Sequence, residues 1–263
     1  MALTDSLTAY WNLDEASGTR IDSHAALNLT ANGTGGVGSG TGIGGSGTAA
    51  DFELSESDYL SRASEAALQM GDIDFSICGW MNMESGFNSM MMVAKFDVDG
   101  STREYLVGFN YNDHAPNNRF FACLSSDGSN GTVTILDATT FGAPSTATWY
   151  FLAFTYDAAA NQMGLSINDG TVDTASHTGG AAATAAEFRL GALDAGGPYY
   201  LMDGLLQYVG IWKRKLSSAE ITELYNGGAG LAYSGLSAAP AGQPTRKRMG
   251  GMAGNPFRAR GVW

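Results

Sequence analysis

The feature that most constrains this chain is a series of short apolar segments separated by clusters of Gly, Asn, Asp and Ser. Segments of this kind, closed by turn-forming residues, are typical of all-β proteins. Gly is used heavily, with 36 residues, and Pro sparingly, with 6, which also favours a turn-rich β protein over a helical one. The sequence therefore predicts strands at 7–13, 75–81, 90–95, 105–111, 119–124, 131–136, 149–156, 162–167, 188–190 and 205–213.

One helix is predicted after the last long strand. Ser217 and Glu220 have the spacing of a capping box, an apolar stripe through Ile221 and Leu224 follows, and Gly227 ends it. The helix should run for about three turns.

Residues 33–48 match neither the strand pattern nor the helix pattern, because Gly, Ser and Thr account for nearly all of them. This composition predicts a loop. The segment contains Gly40, Gly42 and Gly45 at the spacing of a dinucleotide-binding motif, but the strand and helix that the motif requires do not flank it. The match therefore reflects composition and does not indicate nucleotide binding.

Charge divides the chain into two parts. The net charge is −12, yet the residues from Ser234 onward contain no acid and five bases, which leaves −17 on residues 1–233. An acidic body repels nucleic acid and anionic membranes, so neither is expected as a partner. We predict a folded domain at 1–233 and a basic tail at 234–263, which is either disordered or docked on a partner. The candidate partner-binding residues of the tail are Arg246, Lys247, Arg248, Phe257, Arg258, Arg260 and Trp263.

The residues expected of a catalytic centre do not form a recognisable pattern. Glycoside hydrolysis needs two carboxyl groups at a set separation, and Asp72 and Asp74 are the nearest approach to such a pair. The three histidines show neither triad nor metal spacing and are interpreted as surface or loop residues. Cys78 and Cys123 lie in strand-like segments and are interpreted as free, buried thiols. We therefore predict that the protein is not an enzyme.

The order of the segments resembles the laminin G-like domain, of the pentraxin-like type, in the concanavalin A-like lectin and glucanase superfamily. The resemblance covers residues 4–230 and is carried by LTAYWNLDEASGTRIDS, FELSESDYLS, DFSICGWM, ATWYFLAFTYDAAANQMGLSINDG and LMDGLLQYVGIWKRKLSSAEITELYNGG. It implies an all-β, two-sheet antiparallel β-sandwich of the jelly-roll kind with one short C-terminal helix. It also implies ligand sites in loops at the rim or on the concave sheet.

The same resemblance implies one structural calcium ion near the first turn and the Asp-Gly segment. Asp22 and Asp203 are then the candidate ligands, and carboxylates are suitable hard ligands for calcium. The alternative is that Asp22 caps a turn and Asp203 begins one.

Two loops carry the chemistry that holds sugars, which is aromatic faces beside planar amide and carboxylate groups. The alternative is ordinary turn material, since the same residue types form turns. The candidate ligand-binding residues are Tyr111, Asn112, Asp113, His114 and Asn117 in the first loop, and Asp194, Tyr199 and Tyr200 in the second.

We expect a non-catalytic glycan-binding or adhesion module, carried on a phage capsid or tail and contacting host surface sugars. The alternative is a structural capsid-decoration or tail subunit anchored through its C-terminal tail. The partners are then carbohydrate, other virion subunits or further copies of the chain. The N-terminus lacks a basic start followed by an apolar run, so we expect no secretory signal, and location in a virion, in the cytoplasm or after non-classical export.

Overall fold

The computed structural model describes residues 1–86, 88–111 and 118–236 of the chain. They form two antiparallel sheets with one short helix, which confirms the predicted β-sandwich. The strands are β1 (Leu7–Trp11), β2 (Thr30–Asn32), β3 (Gly38–Thr41), β4 (Thr48–Phe52), β5 (Tyr59–Arg62), β6 (Phe75–Met83), β7 (Met90–Asp97), β8 (Thr102–Phe109), β9 (Phe120–Ser125), β10 (Val133–Asp137), β11 (Trp149–Asp157), β12 (Gln162–Ile167), β13 (Asp173–Ser176), β14 (Phe188–Leu190), β15 (Leu193–Asp194), β16 (Pro198–Tyr199) and β17 (Gly204–Trp212), and the helix is α1 (Ser218–Tyr225).

The strand order brings distant parts of the sequence together at the rim of the sandwich. The first sheet has the order β13-β12-β11-β6-β17-β4-β3, and β1 also pairs with β17. The second sheet has the order β10-β9-β8-β7-β14-β5-β2, with β15 and β16 forming a hairpin beside β7. Because β17 lies between β6 and β4, the loops that flank these three strands share one edge of the molecule.

Strand β6 shows why the central strands lack a polar face. Phe75, Ile77 and Met81 belong to the core between the sheets, whereas Cys78 and Trp80 belong to a separate apolar cluster on the other face of the same strand. A continuous apolar run is expected for a strand that is buried on both faces. Each large side chain buried in this way stabilises the fold by about 1.5–3 kcal/mol.

Helix α1 covers the outer face of the first sheet. Ser217 Oγ accepts from the Glu220 backbone N–H, and the Glu220 carboxylate accepts from the Ser217 backbone N–H at 2.8 Å, so the predicted capping box is present. The helix has eight residues, fewer than the three turns predicted, because Asn226 adopts a left-handed conformation one residue before the glycines. Tyr225 stacks on Trp80, with ring centroids 5.6 Å apart, and this contact fixes the helix on the sheet.

The prediction of a loop throughout residues 33–48 is wrong at its centre. Gly38–Thr41 forms β3, which pairs with β4 at the edge of the first sheet. A Cβ atom on Gly40 would lie 2.6 Å from Leu205 Cδ2, so the close packing here requires glycine. The composition conceals the strand because residues that permit this approach also favour turns.

Both cysteines are free and buried, as predicted. Cys78 lies in β6 and Cys123 in β9, so they belong to different sheets and to separate apolar clusters. Burial raises the pKa of both thiols, which keeps them protonated and chemically inert.

The folded body continues slightly beyond the predicted boundary at residue 233. Leu236 is buried in the cluster that α1 forms with the first sheet. Residues 237–263, including every candidate partner-binding residue of the basic tail, lie outside the described residues, so the tail remains a prediction. Within the part that is described, no helix has the length and apolar character needed to span a membrane.

Candidate functional site

Tyr111, the one described candidate of the first loop, lies against the second loop predicted to bind sugar. Tyr111 follows β8, and its ring contacts that of Tyr200, with centroids 6.2 Å apart at 76°. Tyr111 also packs on Phe121 at 5.2 Å, and burial, with the nearby Cys123 thiol, raises the pKa of Tyr111 to about 12. The other candidates of the first loop, Asn112, Asp113, His114 and Asn117, lie outside the described residues.

A cavity of about 400 Å³ opens beside the second loop. Tyr199 forms part of its wall, and this side chain is 51% exposed although large aromatic side chains are usually covered. The Tyr199 and Tyr200 rings are adjacent, with centroids 4.2 Å apart at 34°. The lining residues are Leu54, Asn88, Ser89, Pro198, Tyr199, Tyr200 and Leu201.

Arg189 on β14 holds the β15–β16 hairpin, which carries Tyr199 and which we call the tyrosine-bearing hairpin, against the second sheet. Its guanidinium donates to the Leu193 carbonyl at 3.0 Å, to the Gly197 carbonyl at 3.4 Å and to Asp194 Oδ2 at 2.8 Å. The same group lies 4.9 Å from the centroid of the Tyr59 ring, a cation–π contact. These four contacts join the hairpin to β14 and β5 of the second sheet.

Asp194, predicted to bind ligand, is engaged within this hairpin. Its Oδ2 accepts from Arg189, and its Oδ1 accepts from the Gly197 backbone N–H at 3.1 Å. Both oxygens thus serve to shape the turn, and a direct contact between Asp194 and a ligand stays a prediction.

The backbone at Tyr200 is strained. Its φ is +48°, in the left-handed region that a bulky aromatic residue rarely adopts. The Met91 backbone N–H donates to the Tyr200 carbonyl at 3.2 Å, which helps to hold this conformation. Such strain costs about 1–3 kcal/mol. Leu13 and Tyr208 also have positive φ, so the conformation of Tyr200 does not by itself identify a site.

Asp22 does not fit as a calcium ligand. Its Oδ1 accepts from the backbone N–H groups of Tyr10 and His24, and its Oδ2 from those of Ala25 and Leu27, each at 2.9 Å. Four N–H dipoles directed at one carboxylate satisfy its oxygens and oppose a cation there. Asp22 therefore acts as the turn cap that was the alternative interpretation.

Asp203 lies next to the cavity at Tyr199 and has fewer described hydrogen-bond partners than Asp22. Its Oδ1 accepts from the Leu54 backbone N–H at 3.4 Å, and its carbonyl accepts from the Glu84 backbone N–H at 2.9 Å. Nowhere in the described part of the chain do three or more His, Cys, Asp or Glu side chains form a group suited to hold a metal ion. A calcium ion at Asp203 remains a prediction, and no further step depends on it.

Asp203 belongs to a group of six carboxylates, which we call the acidic rim. Sequence reasoning did not identify the group, because its members come from three separate segments of the chain. Burial and the other carboxylates raise the pKa of four of them, Asp51, Glu53, Asp58 and Glu84. The acidic rim consists of Asp51, Glu53, Glu56, Asp58, Glu84 and Asp203.

A second cavity, of about 300 Å³, lies where the edge strands β10 and β13 approach each other. His177 in its wall lies in the loop after β13, as one of its two interpretations had it, but it is only 4% exposed and is therefore not a surface residue. Its Nε2 donates to the Gly180 carbonyl and its Nδ1 contacts the Thr134 hydroxyl, both at 2.8 Å. The described lining is mostly Ser and Thr and includes no Phe, Tyr or Trp, which makes it a weaker candidate for sugar binding.

Asp72 and Asp74, the nearest approach to a catalytic pair, serve to hold neighbouring segments. Asp72 Oδ1 accepts from the Tyr156 hydroxyl at 3.3 Å, and Asp74 Oδ1 accepts from the Ala158 backbone N–H at 2.9 Å. These contacts join the segment before β6 to β11 and the turn that follows it.

Comparison with known proteins identifies a family and a fold. The protein-family model Laminin_G_3, described as concanavalin A-like lectin/glucanases superfamily, matches residues 54–222. No sequence among the curated proteins matches the chain.

Among solved structures, similar folds include domain 4 of AbnA, an extracellular arabinanase from Geobacillus stearothermophilus, in complex with arabinotriose. That match has a TM-score of 0.60 at 19% identity and covers 83% of this chain and 97% of the other. The binding domain of Paraclostridial Mosquitocidal Protein 1 has a TM-score of 0.63 at 14% identity, covering 84% and 52%. The binding domain of botulinum neurotoxin serotype D has a TM-score of 0.60 at 14% identity, covering 85% and 52%. The chain thus spans about half the length of the two toxin domains, and these likenesses establish the fold alone.

Proposed function

Because the chain belongs to the concanavalin A-like lectin/glucanases superfamily, we propose that it is a non-catalytic glycan-binding module whose ligand occupies the cavity at Tyr199. The observation that carries this proposal is an exposed tyrosine, packed on a second tyrosine, at the wall of a cavity of about 400 Å³. Aromatic faces hold the C–H surface of sugars through apolar contact, and polar groups beside them fix the orientation of the ligand.

The polar groups of the cavity suit a hydroxyl-rich ligand. Asn88 is exposed and carries an amide that both donates and accepts hydrogen bonds. The Ser89 hydroxyl donates to the Asn110 carbonyl, which orients its oxygen as an acceptor. Leu54 and Leu201 supply apolar surface on the same wall. A sugar ring would therefore meet apolar and hydrogen-bonding groups together.

The similar structures support the proposal by what they bind. The arabinanase domain is in complex with arabinotriose, and a related botulinum neurotoxin DC binding domain is in complex with SialylT. The neurotoxin DC binding domain is also in complex with rat synaptotagmin II, so the same fold serves protein recognition. We therefore extend carbohydrate recognition, and not a particular sugar, to this chain.

A glycan array tests the proposal with the full chain and three variants. Tyr199→Ala should lose about 5–30-fold in affinity for the glycans that bind, because removal of one stacking ring costs about 1–2 kcal/mol. Tyr199→Phe keeps the ring and should retain most of the binding. Val172→Ala removes an apolar side chain that is 50% exposed on the opposite sheet and should have no effect. Glycan binding that is equal in Tyr199→Ala and the unaltered chain would overturn the proposed site.

The second candidate function is a structural subunit of a virion, anchored through the basic tail. The observation that favours it is the charge asymmetry between the acidic body and a tail with five bases and no acids. Removal of residues 237–263 should then abolish salt-sensitive self-association or partner binding, measured by analytical ultracentrifugation. Unchanged association without the tail would contradict this role.

A further inference from the structure

The acidic rim borders the cavity at Tyr199. Leu54, which lines the cavity, lies between Glu53 and Glu56 in the sequence, and its backbone N–H donates to Asp203 Oδ1 at 3.4 Å. The Glu84 backbone N–H donates to the Asp203 carbonyl at 2.9 Å, and Glu84 begins the loop that supplies Asn88 and Ser89 to the cavity. Two walls of the cavity are therefore continuous with the acidic rim.

The negative charge of the acidic rim is not neutralised by neighbouring bases. Among the described residues, none of its six members takes part in an ion pair, whereas the ion pairs that form lie elsewhere in the fold. The buried Oδ1 atoms of Asp51 and Asp58 have no hydrogen-bond partner. Burial is the main cause that raises the pKa of Asp51, Glu53, Asp58 and Glu84, and repulsion from the other carboxylates of the rim adds to it, as expected where negative groups share one surface.

The guanidinium beside the hairpin is not available to bind an anionic sugar. Arg189 is only 6% exposed, and its N–H groups contact Glu187, Asp194 and two carbonyls of the hairpin. Recognition of carboxylate or sulfate groups ordinarily relies on such a fork of donors. No carboxylate of the described residues lines the cavity itself, but the rim lies beside it, with Asp203 Oδ1 3.4 Å from the backbone nitrogen of the lining residue Leu54. Exposed aromatic surface with negative charge next to it stabilises an ammonium group through cation–π and Coulomb attraction.

We propose that the cavity takes glycans built from amino sugars with free amines and rejects acidic glycans. This inference rests on the proposed glycan-binding function and names the charge class of the ligand at the same site. The hydroxyl groups of such a sugar meet Asn88 and Ser89, its ring face meets Tyr199, and its ammonium groups lie in the field of Glu53, Glu84 and Asp203.

The test is isothermal titration of the full chain with three tetrasaccharides of different charge. They are the β-1,4-linked tetramer of glucosamine, its fully N-acetylated counterpart, and tetragalacturonate, at about pH 6, where the sugar amines are largely protonated. The free-amine tetramer should bind about tenfold more tightly than the N-acetylated one at about 0.01 M salt, and about twofold more tightly at about 0.15 M, because salt screens the carboxylates. Tetragalacturonate should bind most weakly.

Matched variants assign the preference to the acidic rim. The double variant Glu53→Gln/Glu84→Gln should reduce the ratio of free-amine to N-acetylated affinity at low salt to about twofold. The control Asp14→Asn/Glu223→Gln changes the net charge equally at two exposed residues outside the rim and should leave the ratio unchanged.

Three results would overturn the inference, and they separate it from the proposed function. If all three tetramers bind with equal affinity and Tyr199→Ala abolishes their binding, the glycan site at Tyr199 stands and the charge preference is refuted. If the free-amine tetramer binds equally well to Tyr199→Ala and to the unaltered chain, both the site at Tyr199 and the charge preference are refuted. Tetralysine that binds as tightly as the free-amine tetramer, with the same dependence on Tyr199, would identify the ligand as a basic peptide and not a glycan.

Discussion

Replacement of Arg189 by alanine should release the tyrosine-bearing hairpin from the second sheet. The variant loses donors to Asp194 Oδ2 at 2.8 Å, to the Leu193 carbonyl at 3.0 Å and to the Gly197 carbonyl at 3.4 Å. It also loses the contact with the Tyr59 ring at 4.9 Å. With each hydrogen bond contributing about 1 kcal/mol net and the cation–π contact about 0.5–1 kcal/mol, the local free energy of opening should fall by about 3–4 kcal/mol.

Hydrogen exchange measures this local opening directly. The Val98 and Met91 amides donate to the carbonyls of Asp194 and Tyr200, so both report whether the hairpin is closed. Their protection should fall about 100–700-fold in Arg189→Ala, because every 1.4 kcal/mol is tenfold in an equilibrium constant. Glycan affinity should fall with the population of the closed hairpin.

Two further variants separate this effect from a general loss of stability. Arg189→Lys keeps the charge but cannot span three acceptors, so its effect should be intermediate. Arg62→Ala removes an ion pair with Glu65 and a contact with the Asn28 carbonyl elsewhere in the same sheet, and it should leave the Val98 amide protected. Unchanged protection in Arg189→Ala would refute the role assigned to Arg189.

Two other predictions concern stability. Lys95 and Glu104 form a fully buried ion pair at 2.6 Å, so Glu104→Ala should lower the free energy of unfolding, measured in urea, by about 3–5 kcal/mol. The double variant Lys95→Met/Glu104→Leu should lose less stability, because it leaves no buried charge unpaired. Equal losses of stability in the two variants would contradict this reasoning. Although burial opposes its ionisation, hydrogen bonds from Arg214 and Ser217 lower the pKa of Glu220 to about 2. The carboxyl of a Glu in the unfolded chain titrates at about 4.3, so the stability that Glu220 contributes is fully present above that pH and is lost as the pH falls toward 2. Glu220→Gln should therefore reduce the dependence of the unfolding free energy on pH in this range, as measured by urea unfolding at each pH.

The strands that bury apolar side chains were predictable from sequence. Gln162–Ile167 and Phe188–Leu190 have the predicted bounds. Turn formers lie on both sides of the first, and Gly191 ends the second. The strands Asp173–Ser176 and Pro198–Tyr199 were missed because they are short, largely exposed and held by pairing with a neighbour. Their conformation depends on tertiary contacts that local sequence does not encode.

The candidate site was predictable only in part. Tyr199 and Tyr200 were identified by residue type, and the contact of Tyr200 with Tyr111 required the fold. Leu54 and Asn88 carry no sequence signal for ligand binding, because they become cavity residues only when the loops before β5 and β7 meet the hairpin. The three acids at 53–58 are visible in the sequence. Glu84 and Asp203 lie near them only because β17 pairs with both β4 and β6.

The central claim is that a glycan occupies the cavity at Tyr199, and a crystal structure of the full chain with a glycan selected from the array tests it most directly. We expect one sugar ring to pack on the face of Tyr199 at about 4 Å, with hydroxyl groups near Asn88 and Ser89. A sugar in the Ser- and Thr-lined cavity beside His177, with the Tyr199 cavity free of ligand, would contradict the claim.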